Sequence, residues 1–236
     1  MDLEQMTIGY EPTLETTELV QNSKITLLVG ISGAGKDTIK HKLLEKDGYR
    51  DIVSHTTREP RRNNGVMETD GNDYHFISIE TARTMLAQRA FIEAKFVHQT
   101  LYGTSSNEVL LAHNAGKIAV TDIDVQGVDE YKELSRDIVA IFILPPSYSI
   151  WRERLRKRYE TIEEFENEWP KRRESAIMEL EKALAVPYYH FIINDDLDRS
   201  VRIVDEIAHQ GDLFNRKDDE ARLVARDILD EIRTHN

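Results

Sequence analysis

The run Gly30 to Asp37, GISGAGKD, carries the residue types that bind phosphate. Gly30, Gly33 and Gly35 allow a tight backbone turn, and Lys36 adds a cation at its end. In such a loop consecutive N–H groups wrap a β-phosphate, the following helix N-terminus adds partial positive charge, and the lysine reaches the β- and γ-phosphates. The pattern asks for a hydroxyl directly after the lysine to bind Mg²⁺; here Asp37 stands there and Thr38 follows one residue later. A carboxylate at that place either ligates the metal or repels the phosphates.

Three other groups of residues carry charge in useful patterns. Ser54 to Phe76 is rich in hydroxyls, arginines and turn formers, with Arg58, Arg61 and Arg62 close together and Tyr74 near its end. It reads either as a surface charge cluster or as a ligand site beside a strand carboxyl end. Asp122 and Asp124 close an apolar run, where an aspartate holds Mg²⁺ or its waters, or simply caps the next helix. Arg152, Arg154, Arg156, Lys157 and Arg158, then Lys171, Arg172 and Arg173, lie on successive helical stretches. They are either solvated faces balanced by Glu163, Glu164, Glu166 and Glu168, or a lid that closes over phosphates. The histidines form no HExxH spacing, and there is no Gly-x-Ser-x-Gly elbow.

These residues need elements to hold them. KITLLV before the loop reads as a buried parallel strand, and DTIKHKLLEKDG after it as an amphipathic helix ending near Gly48. Further strands are expected at YRDIV, FIEAKF, KIAVTDIDVQG, DIVAIFILPP and YYHFIIN, with a turn at Leu101 to Ser105. Helices are expected after Ser78, after Asn107, near Ser147 and over two C-terminal stretches, the second with an apolar stripe of Ala221, Val224, Ala225, Ile228 and Ile232. Residues 1–23 hold five acidic residues and no Lys or Arg, with weak periodicity, and read as a mobile or loosely docked extension.

Composition sets the outer bounds. A chain of 236 residues with 40% apolar residues supports one large α/β domain with inserts. Its net charge of −12 argues against broad nucleic-acid or anionic-membrane binding. It has no cysteine, hence no disulfide or thiolate metal site, and no signal-like N-terminus or membrane-length apolar run. A cytoplasmic protein is expected, with oligomeric state undetermined.

From about Lys24 to Val201 the sequence resembles the guanylate kinase family. GISGAGKD, SHTTREPR, DGNDYHF, FIEAKF, LYGTS, DIDVQG, FILPP and NDDLD are similar to family signatures, in the family's order. The resemblance implies an α/β fold: a parallel five-stranded core around the phosphate loop, an inserted GMP-binding subdomain and a helical lid. It implies these boundaries: extension 1–23, loop-bearing core 24–53, GMP-binding subdomain 54–113, core 114–147, lid 148–186, and core with a C-terminal helical extension 187–236. The implied reaction moves the γ-phosphoryl group of Mg-ATP to GMP, with small-molecule nucleotides as the partners and ATP and Mg²⁺ as cofactors.

Site roles follow by position. Gly30, Ser32, Gly33, Ala34, Gly35, Lys36, Asp37, Thr38 and Asn194 would hold ATP. Lys36, Arg58, Arg154, Arg158 and Arg172 would be catalytic, the register of Arg172 against Arg173 being open. Arg58, Arg61, Tyr74 and Tyr102 would hold the acceptor phosphate, and Glu93, Asp122, Ser54 and Thr104 would read guanine. Asp37 and Asp122 would face the metal.

The sequence departs from the family pattern at Asp37, in about four extra residues before DGNDYHF, at Tyr159 in place of a lid glycine, around Asn167–Pro170 and at both longer termini. Two other readings stay open: a kinase for another phosphorylated acceptor such as ribose 1,5-bisphosphate, and a non-catalytic guanylate-kinase-like binding module.

Overall fold

The computed structural model describes residues 2–63, 66–97, 99–210 and 218–235. Two helices come first, α1 (Leu3–Thr7) and α2 (Leu14–Gln21). Strand β1 (Ile25–Val29), buried throughout, leads through the glycine loop into α3 (Lys36–Leu44). Short strands follow: β2 (Tyr49–Asp51), β3 (His55–Thr56), β4 (Arg62–Asn63), β5 (Val66–Met67) and β6 (His75–Phe76). Next come α4 (Ile79–Ala87), β7 (Phe91–Val97), β8 (Thr100–Ser105), α5 (Ser106–Asn114) and β9 (Ile118–Asp122). The chain ends with α6 (Val125–Leu134), β10 (Val139–Leu144), α7 (Tyr148–Arg156), α8 (Ile162–Ala185), β11 (Tyr189–Ile193), α9 (Leu197–Gln210) and α10 (Asp218–Thr234).

The expected five-stranded parallel sheet forms, in the order β11-β10-β1-β9-β2. Its central strands β1 and β10 are short apolar runs because both faces are covered, so no polar alternation is needed. A second sheet, β6-β3-β8-β7, pairs β8 antiparallel with both neighbours. Leu101 to Ser105, expected as a turn, is therefore strand. Its Gly103 packs so closely under the Glu93 carbonyl and the Phe91 ring that a side chain there would collide. The glycine serves close strand packing rather than reversal of the chain.

The chain divides into two units. One comprises Met1–Ile25, Asp47–Thr121 and Asp129–Ile138; the other comprises Thr26–Lys46, Asp122–Val128 and Val139–Asn236. In the first, Leu3, Ala82, Leu86, Phe91, Ala94 and Leu101 form a buried cluster, with Met6 and Tyr10 packed against it. The N-terminal stretch is thus two packed helices and not a loose extension. Its acidic residues face water while Leu3 and Val20 are buried, a pattern too sparse for periodicity to reveal in helices this short.

In the second unit Tyr148, Trp151, Phe165 and Trp169 form a chain of ring contacts that joins α7 to the first half of α8. Sequence-expected caps hold at Ser78 and Ser147, whose hydroxyls accept the N–H of Thr81 and Ile150. Helix α5 begins at Ser106, one residue before the expected cap Asn107, with Ser105 at its N-cap position.

Candidate active site

In the second unit the phosphate loop bends through three left-handed glycines, Gly30, Gly33 and Gly35, at φ 141°, 88° and 99°. A Cβ at Gly30 would strike the Ile143 carbonyl, and one at Gly35 would strike the Asn194 amide. Backbone conformation and space both therefore demand glycine there. Gly35 caps α3 without any side-chain bond, so the first N–H groups of the helix keep their partial positive charge for a ligand. Lys36 Nζ reaches back over the loop and donates to the Gly30 carbonyl at 2.6 Å. Two side chains fix the loop from below: Asn194 Nδ2 donates to Ala34 O at 2.8 Å, and Trp151 Nε1 donates to Ser32 O at 2.7 Å.

The basic helices meet this loop with only some of their residues. Arg158 Nη1 donates to Ser32 Oγ at 3.1 Å, and its Nη2 lies 3.9 Å from the Asp37 carboxylate. Arg154 donates to the Asn194 carbonyl at 3.0 Å. Arg172 Nε donates to Tyr159 Oη at 3.1 Å, whereas Arg173 is tied to the last carbonyls of α10, Ile232 O and Arg233 O. Arg172 is exposed on α8, whereas Arg173 is anchored to α10.

Asp122, at the end of β9, pairs with Lys40 Nζ at 2.8 Å. Burial pushes its carboxyl up, but the Lys40 charge and hydrogen bond, with Lys36 beyond, hold it below the usual carboxylate range. Asp124 accepts from the N–H of Gln126 and Gly127 and caps α6. Among the described residues no three His, Cys, Asp or Glu side chains cluster as a metal cage. One or two carboxylates are what Mg²⁺ needs when phosphates and waters supply the rest, so Asp37 and Asp122 fit a metal carried on a nucleotide.

The first unit gathers the other set. Thr104, buried on β8, is paired in register with Glu93 on β7, and its hydroxyl lies 3.4 Å from Ser54 Oγ. A carboxylate and two hydroxyls thus share one patch. Arg58 lies over the rings of Tyr74 and Phe76, 5.2 and 5.8 Å from their centroids, and Tyr74 contacts Tyr102 edge-on at 6.0 Å. Glu68 grips Arg58 with both oxygens at 2.7 and 3.0 Å and also accepts the Arg61 N–H at 2.7 Å. That hydrogen bond is the main reason the Arg58 guanidinium is held still more firmly protonated than usual. The Arg61 side chain is exposed nearby. Asp122 falls in the other unit, with the loop residues.

The family profile described as guanylate kinase matches residues 22–210. The chain belongs to the guanylate kinase family. It is 40% identical over 178 residues to the guanylate kinase of Caldanaerobacter subterraneus subsp. tengcongensis, covering 75% of this chain and 82% of that one. It is 36% identical over 177 residues to the guanylate kinase of Sus scrofa, covering 74% and 86%. The crystal structure of guanylate kinase from Anaplasma phagocytophilum matches with a TM-score of 0.58 and 25% identity, over 91% of this chain and 95% of that one.

Within the guanylate kinase frame, the structure accounts for two of the departures. Tyr159, where the sequence pattern leads one to expect glycine, supplies the hydroxyl that Arg172 donates to. Asp37 has Arg158 beside it, so its charge is partly offset. One residue was missed by the sequence reading. Glu68 has no motif of its own, and only its spacing between Arg58 and Tyr74 hints at it. Asn194, expected to hold ATP, donates its amide to the Ala34 carbonyl of the loop.

Proposed function

We propose that this protein transfers the γ-phosphoryl group of ATP to GMP, giving ADP and GDP. The observation that carries the reading is the Glu93, Thr104 and Ser54 patch of a guanylate kinase family member. Guanine offers N1–H and N2–H₂ donors, which an ionised carboxylate accepts, and the hydroxyls donate to O6 or N7. Adenine turns an acceptor at N1 toward Glu93 and is repelled.

The roles follow from the chemistry of each group. Arg58, Arg61, Tyr74 and Tyr102 take the acceptor phosphate, with Glu68 keeping the Arg58 fork aligned. Lys36 and the α3 N-terminus hold the donor phosphates, and Arg154, Arg158 and Arg172 neutralise charge as it spreads over the moving phosphoryl group. An oxygen of the GMP phosphate forms the new bond to Pγ. The bond from Pγ to the β–γ bridging oxygen breaks, and that oxygen leaves with ADP. Asp37 and Asp122 would face a Mg²⁺ carried on the ATP phosphates, which would supply positive charge there. Closure excludes water, so ATP is not hydrolysed in place of transfer.

The test is a coupled ADP-release assay over GMP, dGMP, AMP, UMP and ribose 1,5-bisphosphate. GMP should be preferred, with AMP worse by about 10⁴ in kcat/KM, the scale for sites whose polar groups go unpaired. Comparable turnover of AMP and GMP removes the guanine reading. Preference for ribose 1,5-bisphosphate replaces it with a sugar-phosphate kinase, and binding without turnover replaces it with a binding module.

A further inference from the structure

The segment before residue 22 lies outside the family match, yet it is built into the unit that carries Glu93. Strand β7 is the edge of its sheet, and an edge strand leaves backbone N–H and C=O groups in search of partners. At Phe91 a single side chain meets both needs. Tyr10 Oη donates to the Phe91 carbonyl at 2.9 Å and accepts the Phe91 N–H at 3.0 Å. The β7–β8 register shifts between Phe91 and Glu93. A register shift of this kind re-aims the side chains beyond it, and here the next paired residue is Glu93, facing Thr104. Tyr10 therefore clamps the strand where its register is least fixed, two residues before the carboxylate.

The clamp is itself anchored. Arg89, at a left-handed φ of 53°, donates to the carbonyls of Glu11 and Pro12 at 2.7 and 3.1 Å, so the chain directly after Tyr10 is tied to the α4–β7 turn. Leu3 fills the cluster of Leu86, Phe91 and Leu101 beneath the same strand. Tyr10 and Glu93 line one surface hollow.

We propose that the N-terminal segment is a brace for the acceptor site, with Tyr10 a positioning residue that sets Glu93 through β7. The functional half of this proposal rests on the acceptor reading above. A tail that merely adds stability would lower the melting temperature and leave substrate preference alone. A brace on Glu93 acts on one substrate only.

The experiment uses the full-length chain with Tyr10→Phe, which keeps the ring and removes the hydroxyl. We expect KM for GMP to rise about tenfold, the scale of one lost hydrogen-bonding group, with KM for ATP and kcat within about twofold of wild type. Amide exchange at Phe91 should quicken at least about tenfold, because its N–H loses its partner. In a Glu93→Gln background Tyr10→Phe should change KM for GMP by less than about twofold, since the group being positioned is already altered.

A GMP KM within about threefold of wild type, a matching rise for ATP, or the same rise in the Glu93→Gln background each overturns the proposal. Failure of the guanine reading looks different: wild type itself would prefer another acceptor. The Tyr10→Phe comparison is then made with that acceptor, and the same outcomes decide.

Discussion

At the scale of single residues, Asp37 sets this chain apart from the loop pattern it otherwise follows. A neutral hydroxyl is the expected ligand there; a carboxylate binds Mg²⁺ more strongly but would stand beside the proposed donor phosphates. Arg158 at 3.9 Å offsets part of that charge, and the site is open enough for solvent to screen the rest. With metal bound between carboxylate and phosphate, attraction on both sides outweighs direct repulsion; without it, repulsion is left. Asp37→Ser should therefore bind metal-free ATP more tightly than wild type does. Its activity with Mg²⁺ should stay within about tenfold, because one ligand of six changes and water can substitute. ATP titration of both proteins with and without Mg²⁺ checks this. A mutant that gains turnover where wild type has none would mark Asp37 as inactivating.

At the scale of elements, α8 carries Arg172 and begins with a capping box. Thr161 Oγ1 accepts the Glu164 N–H at 3.1 Å, and the Glu164 carboxylate accepts the Thr161 N–H at 3.3 Å. The box matters because the first turn of α8 is otherwise exposed, apart from Phe165. Phe165 starts the ring chain through Trp169 to Trp151, whose indole N–H reaches the phosphate loop. Thr161→Ala should cost about 1 kcal/mol, which for a chain of this size lowers the melting temperature by about 2–4 °C. A thermal melt reads this directly, and an unchanged midpoint would show that the first turn frays without consequence.

At the scale of the whole molecule, acid stability is expected to be lost in two stages. Burial, aided by the neighbouring His75, depresses His55 to about 4 from its ordinary 6.5. Its ring lies 4.6 Å from that of His75, and its buried Nδ1 has no hydrogen-bond partner among the described residues. The fold favours the neutral ring, so this contribution is complete above 6.5 and is lost as pH falls from 6.5 toward 4. Asp122 is held below its ordinary carboxyl value, so its contribution persists through that window and is lost only at still lower pH. Glu179 runs the other way: burial raises its carboxyl, so it costs stability once pH climbs past the ordinary carboxylate range. Melts of wild type and His55→Phe at pH 7, 5.5 and 4 should show the mutant losing less of its melting temperature on acidification. Equal losses would place the acid sensitivity elsewhere.

The sequence by itself determined the loop, the parallel strands around it and the order of the site motifs. Those features depend on local demands: glycines where only φ above zero fits, and apolar runs where a strand is covered on both faces. It also determined the family, because a series of short motifs in fixed order is specific even when each one alone is weak.

The tertiary structure alone distinguishes Arg172 from Arg173, since both sit on one helix and only Arg173 is tied to the carbonyls of α10. It made Leu101 to Ser105 a strand, because Gly103 answers to the atoms packed over it and not to its neighbours in sequence. It turned an acidic, weakly periodic N-terminus into a packed element, through a bond from Tyr10 to a strand that lies 81 residues further along the chain. No local pattern encodes a partner at that separation; the fold has to bring the two together first.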